Sequence, residues 1–314
     1  TAATMKIVTL TMNPAIDKSS AVAQIVAEWK LRCDSPAYEP GGGGINVSRA
    51  IRKLGGESVA FFLAGGLAGR MLIDLLDREG LHHQAISITG VTRENFTVLE
   101  KSTGQQYRFG MPGPTLLEAE WRRCLEEISN IISKIDYLVA SGRLPPGVPP
   151  NFYGLLARLA KEHNTRLIVD TSGEALRLAV EEGVFLIKPN LGEFAELMGQ
   201  ERVNELQAAH LAKELVLTNK SEAVVVSLGA AGVLVASAEG TERVQAPLVP
   251  KKSKIGAGDS TVAGIVLALS RGKSWREAIC YGVAAGAAAV MTPGTELCCR
   301  EDVERLYEQL MQIG

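Results

Sequence analysis

The residues best placed to do chemistry are Gly256, Ala257, Gly258 and Asp259, which follow Lys251-Lys252-Ser253-Lys254-Ile255 and precede the apolar run Thr261 to Leu269. The stretch reads as a loop feeding straight into a helix. Gly256 and Gly258 let backbone N–H groups approach a ligand and face one way. A helix beginning near Asp259 adds its own unpaired N–H groups and the positive end of its dipole, so the segment makes an anion hole. A carboxylate in an anion hole repels a bound phosphate, and Asp259 therefore has two readings. It caps the helix, as Asp often does, or it is a general base beside the point where a phosphoryl group is transferred.

Other candidates lie upstream. Pro40-Gly41-Gly42-Gly43-Gly44-Ile45-Asn46 sets four glycines ahead of a helix predicted over Asn46 to Leu54 and stopped by Gly55-Gly56. A surface linker is one reading. Close approach of the backbone to a ligand is favoured, since a linker does not usually run into an apolar helix with an Asn at its start. Asp17 is expected in the loop after a strand over Met5 to Met12, either as a turn residue or as a carboxylate accepting hydrogen bonds from sugar hydroxyls. Asn190 and Glu193, about one helical turn apart, either organise Mg²⁺ through water or cap the helix that Gly192-Glu193 opens.

The elements that must position these groups alternate. Strands are expected at Ser58 to Ala64, Tyr137 to Ala140, Arg166 to Asp170, Val184 to Ile187 and Ala223 to Ser227, separated by helical stretches. That order means a parallel sheet covered on both faces, with ligands at the loops after the strands. Asp170, Lys188-Pro189-Asn190 and Ser227 occupy such loops, and Leu228-Gly229-Ala230-Ala231-Gly232 turns the last strand into Val233 to Ala236. Helices are expected over Gly69 to Glu79, Leu116 to Ile135, Thr261 to Ser270, Ser274 to Met291 and Arg300 to Met311. Val91 to Phe109 alternates as a hairpin with Arg93 at its entrance. With Ser19 to Tyr38 it predicts a small β layer set apart from the α/β body.

Composition narrows the function classes. The chain has 314 residues, 46% hydrophobic and 22% charged, with a net charge of −2. This suits one large globular domain with additions, or two domains. It offers no electrostatic footprint for nucleic acid and no apolar run of the ~18 residues that a membrane helix needs. The apolar, Ala/Gly-rich Tyr281 to Met291 reads as a tightly packed core helix. Five cysteines without CxxC spacing predict reduced thiols and a cytoplasmic protein. Thr1-Ala2-Ala3-Thr4 reads as a remnant of expression and is left out of fold reasoning. Neither Gly41 to Asn46 nor Gly272-Lys273-Ser274 completes a dinucleotide fingerprint or a P-loop, which removes dehydrogenase and P-loop readings.

Gly41-Gly42-Gly43-Gly44-Ile45-Asn46-Val47, Lys188-Pro189-Asn190-x-x-Glu193 and Gly256-Ala257-Gly258-Asp259, in this order, resemble the PfkB group of ribokinase-like sugar kinases, essentially end to end from Met5 to Ile313. Lys30-Leu31-Arg32-Cys33, Gln106-Tyr107-Arg108-Phe109 and Gly294-Thr295-Glu296-Leu297-Cys298 look most like its minor bacterial 6-phosphofructokinase branch. The resemblance implies a Rossmann-like α/β ribokinase fold, with a body over 5–18, 39–91 and 111–314 and a β-sheet lid over 19–38 and 92–110, dimerised through the lid. It implies transfer of the ATP γ-phosphate to a phosphorylated ketose, most simply fructose 6-phosphate. Asp259 would be the base, with Gly256, Ala257 and Gly258 as the anion hole. Asp17, Gly42, Gly43 and Asn46 would hold the sugar, and Lys30 and Arg93 its phosphate. Lys188, Asn190, Ser227, Gly229 and Gly232 would face ATP, with Asn190 and Glu193 on Mg²⁺. Ser253, Ile255, Ala289, Thr292 and Gly294 match a K⁺ loop. Arg143 stands where the family commonly has Ser, and either contacts the substrate phosphate or faces solvent. Tagatose 6-phosphate and fructose 1-phosphate are the rival substrates, and a non-catalytic sensor on the same fold is the rival of another class.

Overall fold

A computed structural model describes residues 6–313. The expectations for Thr1 to Thr4 and for a strand start at Met5 lie outside them. In chain order the elements are β1 (Ile7–Thr11), β2 (Ala15–Val22), β3 (Ala37–Gly41), α1 (Gly43–Lys53), β4 (Val59–Ala64), α2 (Gly66–Arg78), β5 (His83–Ser87), β6 (Arg93–Glu100) and β7 (Gln106–Phe109). Then come α3 (Glu118–Ile131), β8 (Tyr137–Ser141), α4 (Phe152–Glu162), β9 (Arg166–Asp170), α5 (Gly173–Glu182), β10 (Val184–Ile187), α6 (Leu191–Leu197), α7 (Glu205–Leu217) and β11 (Ser221–Ser227). The chain closes with β12 (Val233–Ser237), β13 (Gly240–Val244), α8 (Ala257–Ser270), α9 (Trp275–Val290) and α10 (Arg300–Ile313).

Among the described residues, nine strands form one sheet in the order β13-β12-β11-β10-β9-β8-β1-β4-β5. It is parallel from β11 to β5, and β12 and β13 add antiparallel strands at one edge. Because successive strand residues face opposite sides, one set (Ile7, Val139, Ile168, Val225) packs against α1, α8, α9 and α10. The alternate set (Val8, Leu138, Val169, Val224) packs against α3, α4, α5 and α7. A sheet buried on both faces explains the continuous apolar runs of β1, β8 and β10. Among the described residues no helix is long and apolar enough to cross a membrane.

The second sheet has four strands, β3-β2-β6-β7, with β2 and β6 parallel and the other pairs antiparallel. It takes in Ala15–Val22 and Ala37–Gly41, and so reaches beyond 19–38 at both ends. Asp17 accordingly lies on a strand rather than in a loop. Pro14 ends β1 and the chain enters β2 at Ala15, with Ile16 buried on one face and Asp17 half-exposed on the other. Helix α1 starts at Gly43, three residues before its predicted start at Asn46, and α8 at Ala257, two residues before the start expected near Asp259. In both, glycine supplies the first turn, which composition alone reads as loop.

Helices α8 and α9 meet along glycines. A Cβ on Gly264 would lie 2.8 Å from the Gly282 Cα, and one on Gly282 would lie 2.8 Å from the Thr261 carbonyl oxygen. The backbones touch, so α8 has no room to slide. Gly282→Val is expected to destabilise the protein by about 1–3 kcal/mol or more, the usual range for overpacking, read as a lower urea midpoint at unchanged m-value.

Candidate active site

Two helix N-termini converge on one cleft. Helix α1 is preceded by Gly42 at φ 118° and α8 by Gly256 at φ 76°; neither glycine has a side chain to cap its helix, and at α1 Thr11 Oγ1 accepts from the Ile45 N–H at 2.9 Å. These backbone angles favour glycine, and both glycines line the same opening. Gly42, Gly43 and Asn46 from α1 share a cavity of about 860 Å³ with Gly256 and Asp259 from α8. Asn46 Nδ2 donates to Asp259 Oδ2 at 3.0 Å, joining residues 213 positions apart. Asp259 is therefore not the cap of α8, since Gly256 holds that position. Its carboxylate projects from the third helical residue into the cleft.

Burial and the charge of Asp170 push the Asp259 carboxyl up to about 7, against the Asn46 hydrogen bond and Lys188. A carboxylate poised there can take a proton at neutral pH and keep it. Lys188 is 8% exposed and pairs with Asp170 at 3.5 Å. Burial opposes its charge, but Asp170, Asp259 and Glu193 outweigh that and raise its affinity for the proton. Lys188 is thus a fixed cation beside the α8 N-terminus, where a Cβ on Gly258 would lie 3.2 Å from its Nζ. Asp170 was absent from the expected site set. It was visible only as a polar residue ending a strand of a parallel sheet.

The small sheet lines the other side of the same cavity with Asp17, Glu39, Arg93, Asn95 and Arg108. Asn95 Nδ2 donates to Asp17 Oδ1 at 3.0 Å. Burial raises the Asp17 carboxyl, which Asn95 and Arg93 partly offset. Gly41 lies directly under the Asp17 carboxylate, where a Cβ would overlap it. Arg93 donates Nη2 to the Asn13 carbonyl at 3.0 Å and Nη1 to the Met111 carbonyl at 3.2 Å, while its buried Nε has no partner. Asn95 and Arg108 were not expected here. Asn95 follows Arg93 by two on β6, a spacing that puts both on one face of a strand. Lys30 is exposed between β2 and β3 and does not line the cavity.

On the body side a smaller cavity of about 200 Å³ is lined by Gly43, Ser141, Arg143, Asp170, Thr171, Glu193 and Asp259, among others. Arg143 is exposed at its rim, away from the Arg93 end of the cleft. Asn190 and Glu193 form a capping box on α6. Glu193 N–H donates to Asn190 Oδ1 at 2.9 Å and Asn190 N–H donates to Glu193 Oε2 at 3.0 Å. The capping reading is therefore realised, with one Glu193 oxygen left over. Ser227 N–H donates to the Pro189 carbonyl at 2.8 Å, so the β11–β12 turn with Gly229 and Gly232 stands beside Lys188 and Asn190. A Cβ on Gly232 would collide with the backbone of Val244 to Ala246, which gives that glycine a packing reason of its own.

Behind the anion hole two loops are stitched together. The N–H groups of Lys252 and Ser253 donate to the Val290 carbonyl at 2.8 and 3.2 Å. Thr292 Oγ1 lies 2.9 Å from the Ala289 carbonyl and 2.7 Å from that of Leu297. Ser253, Ile255, Ala289, Thr292 and Gly294 thus fall on adjoining segments. Among the described residues no group of three or more His, Cys, Asp or Glu side chains could hold a metal ion by itself.

This geometry agrees with what the chain is similar to. A family model described as pfkB family carbohydrate kinase matches residues 8–302. The chain is 44% identical over 303 residues to the ATP-dependent 6-phosphofructokinase isozyme 2 of Mycobacterium tuberculosis, covering 96% of this chain and 89% of the relative. It is 42% identical over 307 residues to the protein of the same name from Escherichia coli, covering 98% and 99%. A 1-phosphofructokinase of Bacillus subtilis stands further off at 31% identity over 97% of this chain and 98% of the relative. The crystal structure of Escherichia coli phosphofructokinase-2 in complex with potassium superposes with a TM-score of 0.94 at 42% identity, covering 98% of this chain and 99% of that one. The family model spans most of the chain and the relatives match it over nearly its whole length, and the chain belongs to the pfkB family of carbohydrate kinases.

Proposed function

We propose that the chain transfers the γ-phosphoryl group of ATP to the 1-hydroxyl of fructose 6-phosphate, giving fructose 1,6-bisphosphate and ADP. The observation that carries the reading is Asp259 itself, held at the open N-terminus of α8 with its carboxyl pushed up to about 7 and one oxygen free of Asn46. The hydroxyl oxygen forms a bond to the γ-phosphorus as the bond to the bridging oxygen of ADP breaks, and the hydroxyl proton passes to Asp259. Gly256, Ala257 and Gly258 offer N–H groups to the charge that develops on the transferred oxygens. Lys188 holds a second positive charge beside them.

Asp17, Gly42, Gly43 and Asn46 orient the sugar. Arg93 supports the choice of a phosphorylated sugar, because its charge is matched by backbone carbonyls and not by an ion pair, and its buried Nε awaits an acceptor. Asn190 and the turn with Ser227, Gly229 and Gly232 receive the nucleotide, while Arg143 stands at the rim of the smaller cavity with Asp170, Glu193 and Asp259. The donor set fits Mg²⁺, which keeps most of its waters and is bound by a carboxylate or two plus phosphates. Glu193 and Asn190 would hold it through water, and it would neutralise phosphate charge. Carbonyl and hydroxyl oxygens at Ser253, Ile255, Ala289, Thr292 and Gly294 fit a weakly hydrated cation such as K⁺, which would fix the loops behind the anion hole. Trp29, 75% exposed, and Phe109, 49% exposed, favour dimerisation through the small sheet. Five free thiols suit the reducing cytoplasm.

The test is a coupled ATP-to-ADP assay with fructose 6-phosphate, tagatose 6-phosphate and fructose 1-phosphate at equal concentration, with and without K⁺. Fructose 6-phosphate is expected to give the highest kcat/KM, with activity rising on addition of K⁺. A higher kcat/KM for either other sugar overturns the substrate assignment. Binding of sugar phosphate without turnover of any overturns the kinase.

A further inference from the structure

Among the described residues the buried cation besides Lys188 is Arg49. It lies on α1 one turn after Asn46, is 4% exposed, and has no part in the chemistry described above. One side of its guanidinium is clamped by Glu79 at the end of α2. Nε donates to Glu79 Oε2 at 2.8 Å and Oε1 at 3.1 Å, and Nη2 donates to Oε1 at 2.8 Å. The remaining nitrogen, Nη1, points the opposite way among three acceptors. These are the Pro40 carbonyl at 3.3 Å, the Thr295 carbonyl at 3.4 Å and Asn46 Oδ1 at 3.5 Å.

We infer that Arg49 is a positioning residue for phosphoryl transfer: it fixes the Asn46 amide so that the NH₂ end faces Asp259, and ties that amide to the small sheet and to the loop after α9. The inference rests on the proposed role of Asp259 as base. Arginine offers donors and no acceptor, and it stays protonated. Asn46 must therefore present its oxygen to Arg49, which leaves Nδ2 for Asp259 at 3.0 Å. Without that cation the amide is held only by the Asp259 carboxylate, and it can turn over once that group carries a proton.

The other two acceptors explain why the tie has a wider reach. Pro40 lies in β3, just before the chain leaves the small sheet for α1. Thr295 belongs to the loop whose neighbours Thr292 and Gly294 would face the monovalent cation, and its hydroxyl donates to Glu39 Oε2 on β3. All three Nη1 distances exceed the ordinary 2.7–3.2 Å of an N–H···O bond. One nitrogen is thus shared among the small sheet, the loop and the base-holding amide. Movement of any acceptor towards Nη1 draws it from the others.

The test is Arg49→Lys, which keeps a cation but replaces the fork with a single ammonium that cannot serve Glu79 and Asn46 together. Asp170, Lys188 and Asp17 also act on Asp259 and are unchanged in the variant. Two readouts are taken. Carboxyl titration by ¹³C NMR, with Asp259→Asn assigning the signal, needs no turnover. The pH profile of kcat/KM with the best sugar phosphate reports the same group in the working enzyme. Loss of the Asn46 donor is expected to move the Asp259 midpoint to higher pH by both, and kcat to fall roughly 10- to 100-fold, the scale of a small misplacement. ATP KM is expected to stay within about twofold, because Arg49 does not line the nucleotide side. An unchanged NMR midpoint in folded Arg49→Lys overturns the inference. If that variant does not fold, Glu79→Gln decides by the same readouts, since Glu79 is 34% exposed and loosens the fork without emptying the site. A shifted NMR midpoint in a protein that turns over no sugar phosphate overturns the proposed function, and the orientation of Asn46 by Arg49 survives.

Discussion

Replacing Asp259 with asparagine is expected to lower kcat by roughly 10²–10⁴-fold, the usual contribution of a positioned general base. The amide keeps the shape of the carboxylate and still accepts from Asn46, but it cannot take a proton from the attacking hydroxyl. ATP and sugar-phosphate affinities are expected to change far less, since the lost interaction belongs to the transition state. In the parent protein kcat/KM is expected to fall as pH drops below about 7, where the Asp259 carboxyl fills with a proton. The stability effect has the opposite sense. A carboxyl whose affinity for protons is raised by folding stabilises the fold fully below its unfolded value near 3.8, and that contribution is lost as pH rises towards about 7. Asp259→Asn removes a buried charge at pH 8 and is expected to raise the urea midpoint there while nearly abolishing turnover. A variant within tenfold of the parent kcat would rule out Asp259 as the base.

The second large effect is expected at Gly256. This residue caps α8 at φ 76°, a region that costs an L-residue about 1–2 kcal/mol. A Cβ there would also overlap the buried Leu297 side chain, which itself sits at φ 65°. Gly256→Ala must therefore turn the loop that aims the first N–H groups of α8. A fall of roughly 10²–10³-fold in kcat is expected, the scale of losing one donor of an oxyanion hole, with sugar-phosphate binding retained because Asp17 and Arg93 come from the other sheet. Adding Leu297→Ala opens space for the new methyl. If overlap dominates, the double variant recovers part of the lost kcat by steady-state assay. If the backbone angle dominates, it recovers none.

Much of this site was legible in sequence because its parts are local. Gly256 to Asp259, Gly41 to Asn46 and Lys188 to Glu193 each carry their geometry within six residues of chain, and the alternation of strands and helices orders them along one sheet edge. What escaped was long-range or weakly patterned. Strands β5 and β13 are edge strands that carry consecutive polar residues, His83-Gln84 and Thr241-Glu242-Arg243, so neither shows an apolar run. Asp17 was placed in a loop because Asn13-Pro14 reads as a break, whereas the chain merely changes sheets there. Lys30 matched a motif, yet nothing local to it fixes where its loop lies. The Asn46–Asp259 bond and the shared nitrogen of Arg49 join segments that only the fold brings together.

The glycine seam between α8 and α9 bears on how the protein moves. With backbones in contact at Gly264 and Gly282, the helix that carries Asp259 is locked to its neighbour. Its central amides, buried from Val262 to Ala268, should exchange their hydrogens only when the whole domain opens. Strand β7, exposed along its length, needs only a local opening. Low-cost local opening is thereby expected in the small sheet, apart from the helix that carries the base.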